Sequence, residues 1–282
     1  MKNKILNIKN LSKSYGAFKV TDEITIDLHF DEIHALIGPN GAGKSTLIKQ
    51  IVGSVKHDIG SIILDQEDIT DLTDVERAKI GISRTFQVSS IIPQFSALDN
   101  IVLSLLDKSS KTFQLFKSVR NNKELYSNAK KILMEIELLE KSRKTFQMFK
   151  NVRNNKELYS NANKILKEIE LLEKSDISAS DLSHGDRRKL EVGLALAMDP
   201  KVFLFDEPMA GLDESGTNMM INLFKKIKSN SPILLIEHDM DAVFALADRV
   251  SVINYGKIVA TGTVDEIRKN ELVRDVYLGY EI

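Results

Sequence analysis

The stretch Gly38-Pro39-Asn40-Gly41-Ala42-Gly43-Lys44-Ser45 fits the pattern G-x-x-x-x-G-K-[ST], with an apolar strand predicted before it and a helix predicted after it. Glycines let successive backbone N–H groups turn inward around phosphate oxygens, and the N-terminus of the following helix adds partial positive charge. Lys44 is placed to reach the β- and γ-phosphates, and Ser45 offers a hydroxyl oxygen to Mg²⁺. This P-loop, Gly38–Ser45, therefore predicts a site for nucleotide phosphates.

A second motif lies at the end of another predicted strand. The apolar run Val202-Phe203-Leu204-Phe205 is followed directly by Asp206 and Glu207. A buried strand with this ending points a carboxylate at the phosphate site, where Asp206 would hold Mg²⁺ directly or through water. Glu207 would orient and deprotonate an attacking water. The alternative, a glutamate that only caps the next turn, does not explain the aspartate beside it.

A third segment, Leu182-Ser183-His184-Gly185-Asp186, precedes a helix predicted over 187–198. Its serine and backbone amides would lie at a helix N-terminus, where an anion is favoured. For an isolated segment the simpler interpretation is an N-cap formed by Ser183 or Asp186. Because the segment lies shortly before the Asp206-Glu207 strand, we expect it to contribute to the same chemistry.

Composition and charge limit the possible functions. Hydrophobic residues make up 43% of the 282 residues, enough for a sizeable core, and the formal net charge of -1 gives no support to a nucleic-acid-binding surface. The absence of cysteine excludes disulfides and thiolate metal sites. No secretory signal is expected after the start MKNKILNIKN, and the longest apolar runs are too short to cross a bilayer. Any membrane role is therefore expected to be peripheral and to depend on a partner.

The order of predicted elements favours an α/β fold with a parallel sheet covered on both faces. Apolar or alternating strands are predicted at 5–8, 24–28, 33–37, 61–64, 202–205, 233–236 and 250–253. Helices are predicted at 45–55, 187–198, 215–227 and 241–247, and a short helix from Asp74 with Asp74 as its N-cap. The region 97–180 contains neither Pro nor Gly and shows helical periodicity.

One internal repeat lies in this helical region. Residues 110–142 and 143–175 are each 33 residues long and differ at five positions. In each copy six apolar residues share one face of a predicted helix: Leu125, Ala129, Ile132, Leu133, Ile136 and Leu139 in the first, and Leu158, Ala162, Ile165, Leu166, Ile169 and Leu172 in the second. We interpret one copy as the normal helix and the other as a tolerated surface insertion, with a new partner-docking surface as the alternative.

These motifs occur in a fixed order, with Gln87 after the P-loop and with Gly211-Leu212-Asp213 and His238 after Glu207. The chain thereby resembles an ABC-transporter nucleotide-binding subunit over nearly its whole length. Where that family usually has Leu-Ser-Gly-Gly-Gln, this chain has the signature segment Leu182–Asp186, which keeps the serine and the second glycine. The departure resembles ATP-binding subunits of branched-chain amino-acid importers and their urea or amide relatives. The segments 81–87, 209–212 and 273–279 also resemble this subgroup.

The resemblance implies a role for each matching residue. Tyr15 would stack on adenine, Gln87 would touch Mg²⁺ or water, and His238 would contact the γ-phosphate. The signature segment would act on ATP held by a second subunit, and Asp213 would lie at the dimer interface. The residues expected to bind ATP are Tyr15, Gly38, Pro39, Asn40, Gly41, Ala42, Gly43, Lys44, Ser45, Thr46, Ser183 and Gly185. The expected Mg²⁺ ligands are Ser45, Gln87 and Asp206, and the expected catalytic residues are Glu207, His238, Gln87 and Lys44.

The resemblance also implies a domain organisation. Residues 1–282 would form a single ABC ATPase domain of α/β class. Residues 1–90 and 187–282 would supply an N-terminal antiparallel β-subdomain and a RecA-like P-loop core. Residues 91–186 would form a helical subdomain enlarged by the 33-residue tandem duplication.

The expected activity is ATP hydrolysis, with ATP and Mg²⁺ bound, that drives solute import, with branched-chain amino acids as the expected solute. The expected partners are integral-membrane permease subunits, a second ABC ATPase subunit in a homo- or heterodimer and, indirectly, an extracytoplasmic solute-binding protein, with no nucleic acid. The expected location is the cytoplasmic face of the cell membrane, as a peripheral subunit. Three alternatives stay open: a cassette of a lipid or lipopolysaccharide exporter, a soluble ABC ATPase acting on ribosomes or DNA, and a regulatory protein without catalysis.

Overall fold

The computed structural model describes residues 4–84, 91–109 and 156–274, which divide into two compact units. The first unit is drawn from residues 4–84 and 199–274, and the second from 91–109 and 156–198. The sequence-based division assigned residues 187–198 to the core, whereas the structure groups them with the second unit. Within these three described ranges, no helix is both long and apolar enough to cross a membrane.

All strands of the described residues belong to the first unit. They are β1 (Lys4–Tyr15), β2 (Phe18–His29), β3 (Ile33–Ile37), β4 (Ile59–Leu64), β5 (Glu67–Asp68), β6 (Ile82–Arg84), β7 (Val202–Asp206), β8 (Ile233–Ile236), β9 (Arg249–Asn254) and β10 (Lys257–Gly262). A four-stranded antiparallel sheet has the order β2-β1-β4-β5, and a six-stranded sheet has the order β10-β9-β3-β8-β7-β6. In the larger sheet β9, β3, β8, β7 and β6 run parallel, and β10 pairs antiparallel with β9.

The helices lie between these strands, from β3 onward, or after the last of them. Among the described residues they are α1 (Lys44–Val52), α2 (Asp74–Lys79), α3 (Ala97–Ser109), α4 (Lys156–Glu168), α5 (His184–Ala197), α6 (Glu214–Ile227), α7 (Met240–Leu246), α8 (Val264–Lys269) and α9 (Glu271–Val273), and a 3₁₀ turn lies at Leu172–Lys174. Helices α3, α4 and α5 belong to the second unit, and the others to the first. The mixed α/β class predicted from the sequence is confirmed.

The central parallel strands are buried along their whole length, because elements cover both faces of the sheet. Every residue of β3 and of β8 is buried, including the polar His34. One apolar cluster joins the antiparallel sheet, α1 and one face of the parallel sheet, and includes Leu28, Leu47 and Leu234. A second cluster, which includes Ile37, packs strands β3 and β9 against α7, α8 and α9.

The second unit packs three helices closely at a glycine. A Cβ atom added at Gly193 in α5 would lie 2.6 Å from Ile169 Cδ1 and 3.0 Å from Ile101 Cδ1. Glycine therefore allows the closest approach between α5 and its neighbours. This packing also explains why residues 187–198 group with the helical unit rather than with the core.

The described part of the repeat belongs to its second copy, which forms α4. Its predicted apolar face is confirmed at Ala162, Leu166 and Ile169, all fully buried. The prediction for Leu172 is wrong, because that side chain is 41% exposed and Leu171 is buried in its place. The helix ends at Glu168, and Glu170 adopts a positive φ of 59°, which turns the chain before Leu172. The first copy, with its predicted helix, and residues 143–155 lie outside the described residues.

Two predicted helix starts need correction. The N-cap of α2 is Thr73 rather than Asp74, since Thr73 Oγ1 accepts from Glu76 N and the Glu76 carboxylate accepts from Thr73 N, which completes a capping box. Helix α5 starts at His184, three residues earlier than predicted. Its N-cap is Ser183, one of the two caps that the sequence left open.

A buried arginine fixes the far end of α1. The Arg77 guanidinium of α2 is 2% exposed and donates to Gln50 O at 2.7 Å and to Ile51 O at 2.8 Å. These are carbonyls of the last turn of α1, which have no amide partner within the helix. The helix that follows the P-loop is therefore held at its C-terminus by a charged side chain.

His34, in the middle of β3, is buried without a charge partner. Its Nδ1 lies 2.8 Å from Asp27 O, and its Nε2 lies 2.8 Å from the Ser251 hydroxyl, which in turn lies 2.7 Å from the Thr261 hydroxyl. Burial lowers the pKa of His34 from 6.5 to about 4, and the nearby Arg249 acts in the same direction. The folded protein therefore holds a neutral imidazole in its central strand.

This lowered pKa predicts a loss of stability in mild acid. Between pH 6.5 and 4 the unfolded chain binds a proton at His34 that the folded chain does not, so the stabilisation is complete above pH 6.5 and decreases as the pH falls. We expect His34 to account for about 2 kcal/mol of lost unfolding free energy between pH 7 and pH 5. Urea unfolding at both pH values, compared with His34→Gln, isolates this contribution. An equal pH dependence in the two proteins would contradict it.

Candidate functional site

The candidate site is built where three neighbouring parallel strands end. Leu36 in β3 and Asp206 in β7 both pair in register with Ile236 in β8, so the three strands end at the same level. The P-loop follows β3, Glu207 follows β7, and His238 follows β8 by two residues. Side chains far apart in the sequence are thereby brought to one edge of the sheet, where open α/β sheets bind ligands.

The P-loop lies so close to neighbouring backbone that two of its glycines leave no room for a side chain. A Cβ atom at Gly38 would lie 2.1 Å from Ile253 O, and a Cβ atom at Gly43 would lie 2.4 Å from Val20 O. Gly43 is also the N-cap of α1 with a φ of 108°, a conformation that L side chains rarely adopt. The strands β2 and β9 thus fix the path of the loop.

The turn between β9 and β10 binds the P-loop directly. Gly256 N donates to Ala42 O at 3.0 Å, and Gly256 O accepts from Asp22 N at 2.8 Å. The loop is therefore held through its own backbone by the β9–β10 turn, and that turn is itself bonded to β2. A phosphate cradle needs this preorganisation, because its backbone N–H groups must keep their directions.

Lys44 lies inside the loop rather than on its surface. Its Nζ donates to Gly38 O at 2.6 Å and to Pro39 O at 2.9 Å, and the residue is 6% exposed. Burial lowers the pKa of Lys44, and the carboxylates of Glu207 and Asp206 oppose that shift. An ammonium group held by backbone carbonyls beside two carboxylates is suited to the charge of a nucleotide's terminal phosphates.

Asp206, at the end of β7, is held by an arginine that the sequence interpretation did not single out. Arg84 Nη2 in β6 lies 3.0 Å from Asp206 Oδ2, and the two side chains are 13% and 3% exposed. Strands β6 and β7 are neighbours, which places the pair. Arg84 lies within the segment 81–87 noted for its family resemblance, but nothing local in the sequence links it to Asp206.

Glu207 and His238 face each other across the sheet edge. His238 Nε2 lies 2.7 Å from Glu207 Oε1, and the two side chains are 37% and 44% exposed. Glu207 N donates to Ile236 O at 2.9 Å, and its backbone has a φ of 53°. A left-handed conformation is strained for a glutamate and persists where neighbouring contacts enforce it, a condition common at functional sites. A carboxylate bonded to an imidazole and open to solvent is suited to accept a proton from water.

The oxygen donors at this edge fit Mg²⁺. Ser45 in the first turn of α1 offers a hydroxyl, and Asp206 offers a carboxylate. In the described parts of the chain no group of three or more His, Cys, Asp and Glu could hold a metal by itself. Mg²⁺ is usually bound by one or two protein oxygens together with substrate phosphates and water, so such a sparse donor set is compatible with it.

Other predicted residues of the ATP site are placed less fully. Tyr15 ends β1 with its side chain 55% exposed, and Lys13 Nζ lies 5.5 Å from its ring centroid. Phe18 pairs with it across the β1–β2 turn and is 64% exposed. Stacking of Tyr15 on adenine stays a prediction. Gln87 lies outside the described residues.

The signature segment, in the second unit, forms the exposed start of α5. Ser183 Oγ accepts from Asp186 N at 3.1 Å and donates to Asp186 Oδ2 at 2.7 Å, and Lys174 Nζ lies 2.6 Å from the same Oδ2. Burial works to raise the pKa of Asp186, but the bonds from Lys174 and Ser183 outweigh it, so the pKa lies below its ordinary value. Ser183 is exposed and Gly185 is half-buried, so both are accessible to a ligand.

Comparison with family models gives two matches. Residues 21–210 match the model described as ABC transporter, and residues 257–281 match the model described as branched-chain amino acid ATP-binding cassette transporter. The first covers the P-loop, the signature segment and the Asp206-Glu207 strand. The second starts at β10.

Two kinds of curated relatives are similar over nearly the whole chain. The high-affinity branched-chain amino acid transport ATP-binding protein LivG of Escherichia coli is 29% identical over 286 residues, which are 99% of each chain. The lipopolysaccharide export system ATP-binding protein LptB of Haemophilus influenzae is 29% identical over 276 residues, 98% of this chain and 97% of that protein. LptB of Escherichia coli is 30% identical over 277 residues, 97% of each.

Solved structures show the same fold. The ADP conformation of an ATP-binding cassette of an ABC transporter superposes with a TM-score of 0.78 at 28% identity, over 98% of this chain and 99% of that one. A nucleotide-free cassette gives 0.75 at 28% identity, over 98% and 100%. With a family model that spans both halves of the phosphate site and relatives that match from end to end, the chain belongs to the ABC transporter family as an ATP-binding cassette, an ATPase of that family.

Proposed function

We propose that this cassette hydrolyses ATP to drive the import of a solute across a membrane, with branched-chain amino acids as the solute class. The observation that carries the direction and the solute is the match of residues 257–281 to the branched-chain amino acid cassette model. The similarity to LivG over 99% of both chains supports it. Since cassettes themselves do not bind the solute, the proposal assigns its recognition to partner subunits.

The P-loop carries the binding step. Its backbone N–H groups and the N-terminus of α1 hold the phosphates, and Lys44 exchanges its bonds to the Gly38 and Pro39 carbonyls for the β- and γ-phosphate oxygens. Ser45 and Asp206 would hold Mg²⁺, which supplies charge neutralisation at the phosphates when bound. Arg84 keeps the Asp206 carboxylate directed to this point.

Glu207 carries the hydrolytic step. Its exposed carboxylate orients a water and takes a proton from it as the water oxygen bonds to the γ-phosphorus and the bond to the β-phosphate oxygen breaks. His238, 2.7 Å from Glu207, fixes the carboxylate and contacts the γ-phosphate. ATP hydrolysis depends mainly on such positioning and charge stabilisation.

The signature segment provides the second half of the site in our proposal. Ser183 and Gly185 lie at the accessible start of α5, and they would contact ATP held by another cassette, identical or homologous. Asp213, the N-cap of α6, would lie at that dimer interface. ATP binding closes the dimer, and hydrolysis with product release opens it, which moves attached permease helices between two access states.

The proposed assembly contains integral-membrane permease subunits, two cassettes and, for import, an extracytoplasmic solute-binding protein. The cassette would lie peripherally at the cytoplasmic face of the membrane.

A second candidate function is that of a lipopolysaccharide-type exporter, and one observation favours it. LptB proteins of two species are as similar to this chain, at 29% and 30% identity, as LivG is.

Glu207→Gln tests the chemistry. The amide keeps the size of the side chain but cannot take a proton, so we expect ATP binding to be retained and kcat to fall by about 10²- to 10⁴-fold. Steady-state phosphate release and equilibrium binding of ATP measure the two effects. Glu67→Gln, which removes the same charge from an exposed position in β5, should leave both unchanged. Normal hydrolysis by Glu207→Gln would remove the role assigned to Glu207.

Affinity purification tests the transport assignment. We expect tagged Glu207→Gln protein, extracted from its native membranes with ATP and Mg²⁺ present, to retain permease subunits, because blocked hydrolysis holds the closed dimer. Mass spectrometry that finds a solute-binding protein as well supports import, and branched-chain amino-acid uptake then tests the solute. Permease partners linked to lipopolysaccharide favour the exporter. Recovery of ribosomal or DNA-repair proteins without any permease contradicts both.

A further inference from the structure

A buried carboxylate next to the site has no part in the chemistry described so far. Glu237 follows β8 directly and is 3% exposed. Its Oε1 accepts from Met209 N at 2.8 Å, and its Oε2 accepts from His238 N at 3.2 Å. Both partners are backbone N–H groups, so the carboxylate fixes the backbone at Met209 and His238.

These two N–H groups belong to the segments that carry Glu207 and His238. Met209 is two residues beyond Glu207, in the turn that follows β7, and His238 is the residue whose ring contacts Glu207 at 2.7 Å. The contacts therefore form a closed circuit that runs from Glu207 along the chain to Met209, through Glu237 to His238, and back to Glu207. Removal of Glu237 opens this circuit on both sides.

The turn after β7 needs such support. Glu207 has a φ of 53°, a conformation that costs about 1–3 kcal/mol and persists only where the surroundings enforce it. Ala210 N donates to Glu207 O at 3.2 Å, which closes the turn on itself, but this bond does not attach the turn to β8. Glu207 N donates to Ile236 O at 2.9 Å and attaches the start of the turn to β8, and the bond from Met209 N to Glu237 attaches the residues that follow.

The burial of the Glu237 carboxylate is unfavourable for the stability of the fold, so stability alone does not explain its position. Burial raises the pKa of Glu237, although both backbone N–H groups favour its charged form, and the negative charges of Glu207 and Asp239 add to the rise. A buried carboxylate among like charges is the kind of arrangement that collects at functional sites. A neutral acceptor could bond to the same two backbone N–H groups with a smaller desolvation free energy.

We propose that Glu237 is a positioning residue for ATP hydrolysis, which sets the geometry of the Glu207–His238 pair through Met209 N and His238 N. The inference rests on the proposed function, because it assumes that Glu207 and His238 act on ATP. Glu237 itself touches neither substrate nor water in this assignment. Its effect should appear in turnover and not in nucleotide binding, since the P-loop is held separately by Ile253, Val20 and Gly256.

Two substitutions separate positioning from a general loss of structure. Glu237→Ala removes both acceptors, and we expect kcat to fall by about 10- to 100-fold with the Kd for ATP changed by less than about twofold. Glu237→Gln keeps one acceptor oxygen but places an N–H₂ group toward the other backbone N–H, so its kcat should lie between those of Ala and the parent. Hydrogen exchange of the peptide 207–213 should become faster in both variants.

Glu32→Gln is the matched control. Glu32 is 4% exposed and likewise accepts from a backbone N–H, His29 N at 2.6 Å, but it precedes β3 at the opposite end of the parallel strands from the P-loop. All full-length proteins are assayed at a temperature where circular dichroism shows them folded. Glu32→Gln should lower the thermal midpoint without a change in kcat.

The outcomes distinguish a failure of the positioning role of Glu237 from a failure of the proposed ATPase function. A reduced kcat at constant ATP affinity, graded in the order parent, Gln, Ala, supports the positioning role. A parental kcat in folded Glu237→Ala, or a loss of ATP affinity in proportion to kcat, overturns it while Glu207→Gln still shows the chemistry intact. If the parent chain does not hydrolyse ATP, or Glu207→Gln hydrolyses it normally, the proposed function fails and this inference fails with it.

Discussion

The alignment of three parallel strand ends is the constraint on which the rest of the structure depends. Because Leu36 and Asp206 are both in register with Ile236, the P-loop, the Asp206-Glu207 pair and the Glu237-His238 pair all leave the sheet at one level. Side chains alternate between the faces of a strand, so a slip of one residue would send Glu207 to the wrong side. The chemistry is therefore set by strand register before any side chain contributes.

Burial on both faces enforces that register. Strands β3 and β8 have no exposed residue, and two apolar clusters press on the sheet from opposite sides. The polar exceptions are satisfied by specific partners, as His34 is by Asp27 O and the Ser251 hydroxyl. A displaced strand would lose apolar burial and leave these groups unpaired, and each such group costs about 1–3 kcal/mol. Stability and site geometry thus depend on the same contacts.

Backbone proximity adds a second constraint at the P-loop. Gly38 and Gly43 approach Ile253 O and Val20 O so closely that only hydrogen fits at their α-carbons. The loop is thereby shaped by strands that contribute no chemistry of their own. This explains why three glycines and a lysine in this pattern predict a phosphate site from the sequence, since each position meets a local steric or electrostatic requirement.

The sequence was sufficient where the signal is local. The bounds of β3 and β8 follow from short apolar runs, broken in β3 only by His34. The order of predicted strands and helices predicts the α/β fold, and the P-loop, the signature segment and the Asp206-Glu207 strand end in sequence carry the family resemblance. What it could not supply depends on contacts between distant segments. Nothing in the local sequence marks Glu237 as functional. Its role can be inferred only once the register of β7 and β8 brings Met209 N within 2.8 Å of its carboxylate.

Local chain reversals account for the other differences. The positive φ of Glu170 turns the chain, so Leu171 is buried and Leu172 is exposed. Helical periodicity does not predict this turn. The contact between Arg84 and Asp206 depends on the pairing of β6 with β7, which the sequence does not show. The repeat shows the same limit, because its two nearly identical copies carry the same helical pattern; α4 lies in the second copy, and the first lies outside the described residues.

The most direct test of this account is a crystal or electron cryo-microscopy structure of Glu207→Gln with ATP and Mg²⁺. The account predicts the phosphates inside the Gly38–Ser45 loop, the γ-phosphate beside Lys44 Nζ and His238, and the start of α5 from a second copy in contact with the same ATP. Nucleotide bound elsewhere, or a γ-phosphate that contacts neither Lys44 nor the signature segment of a second cassette, would contradict it.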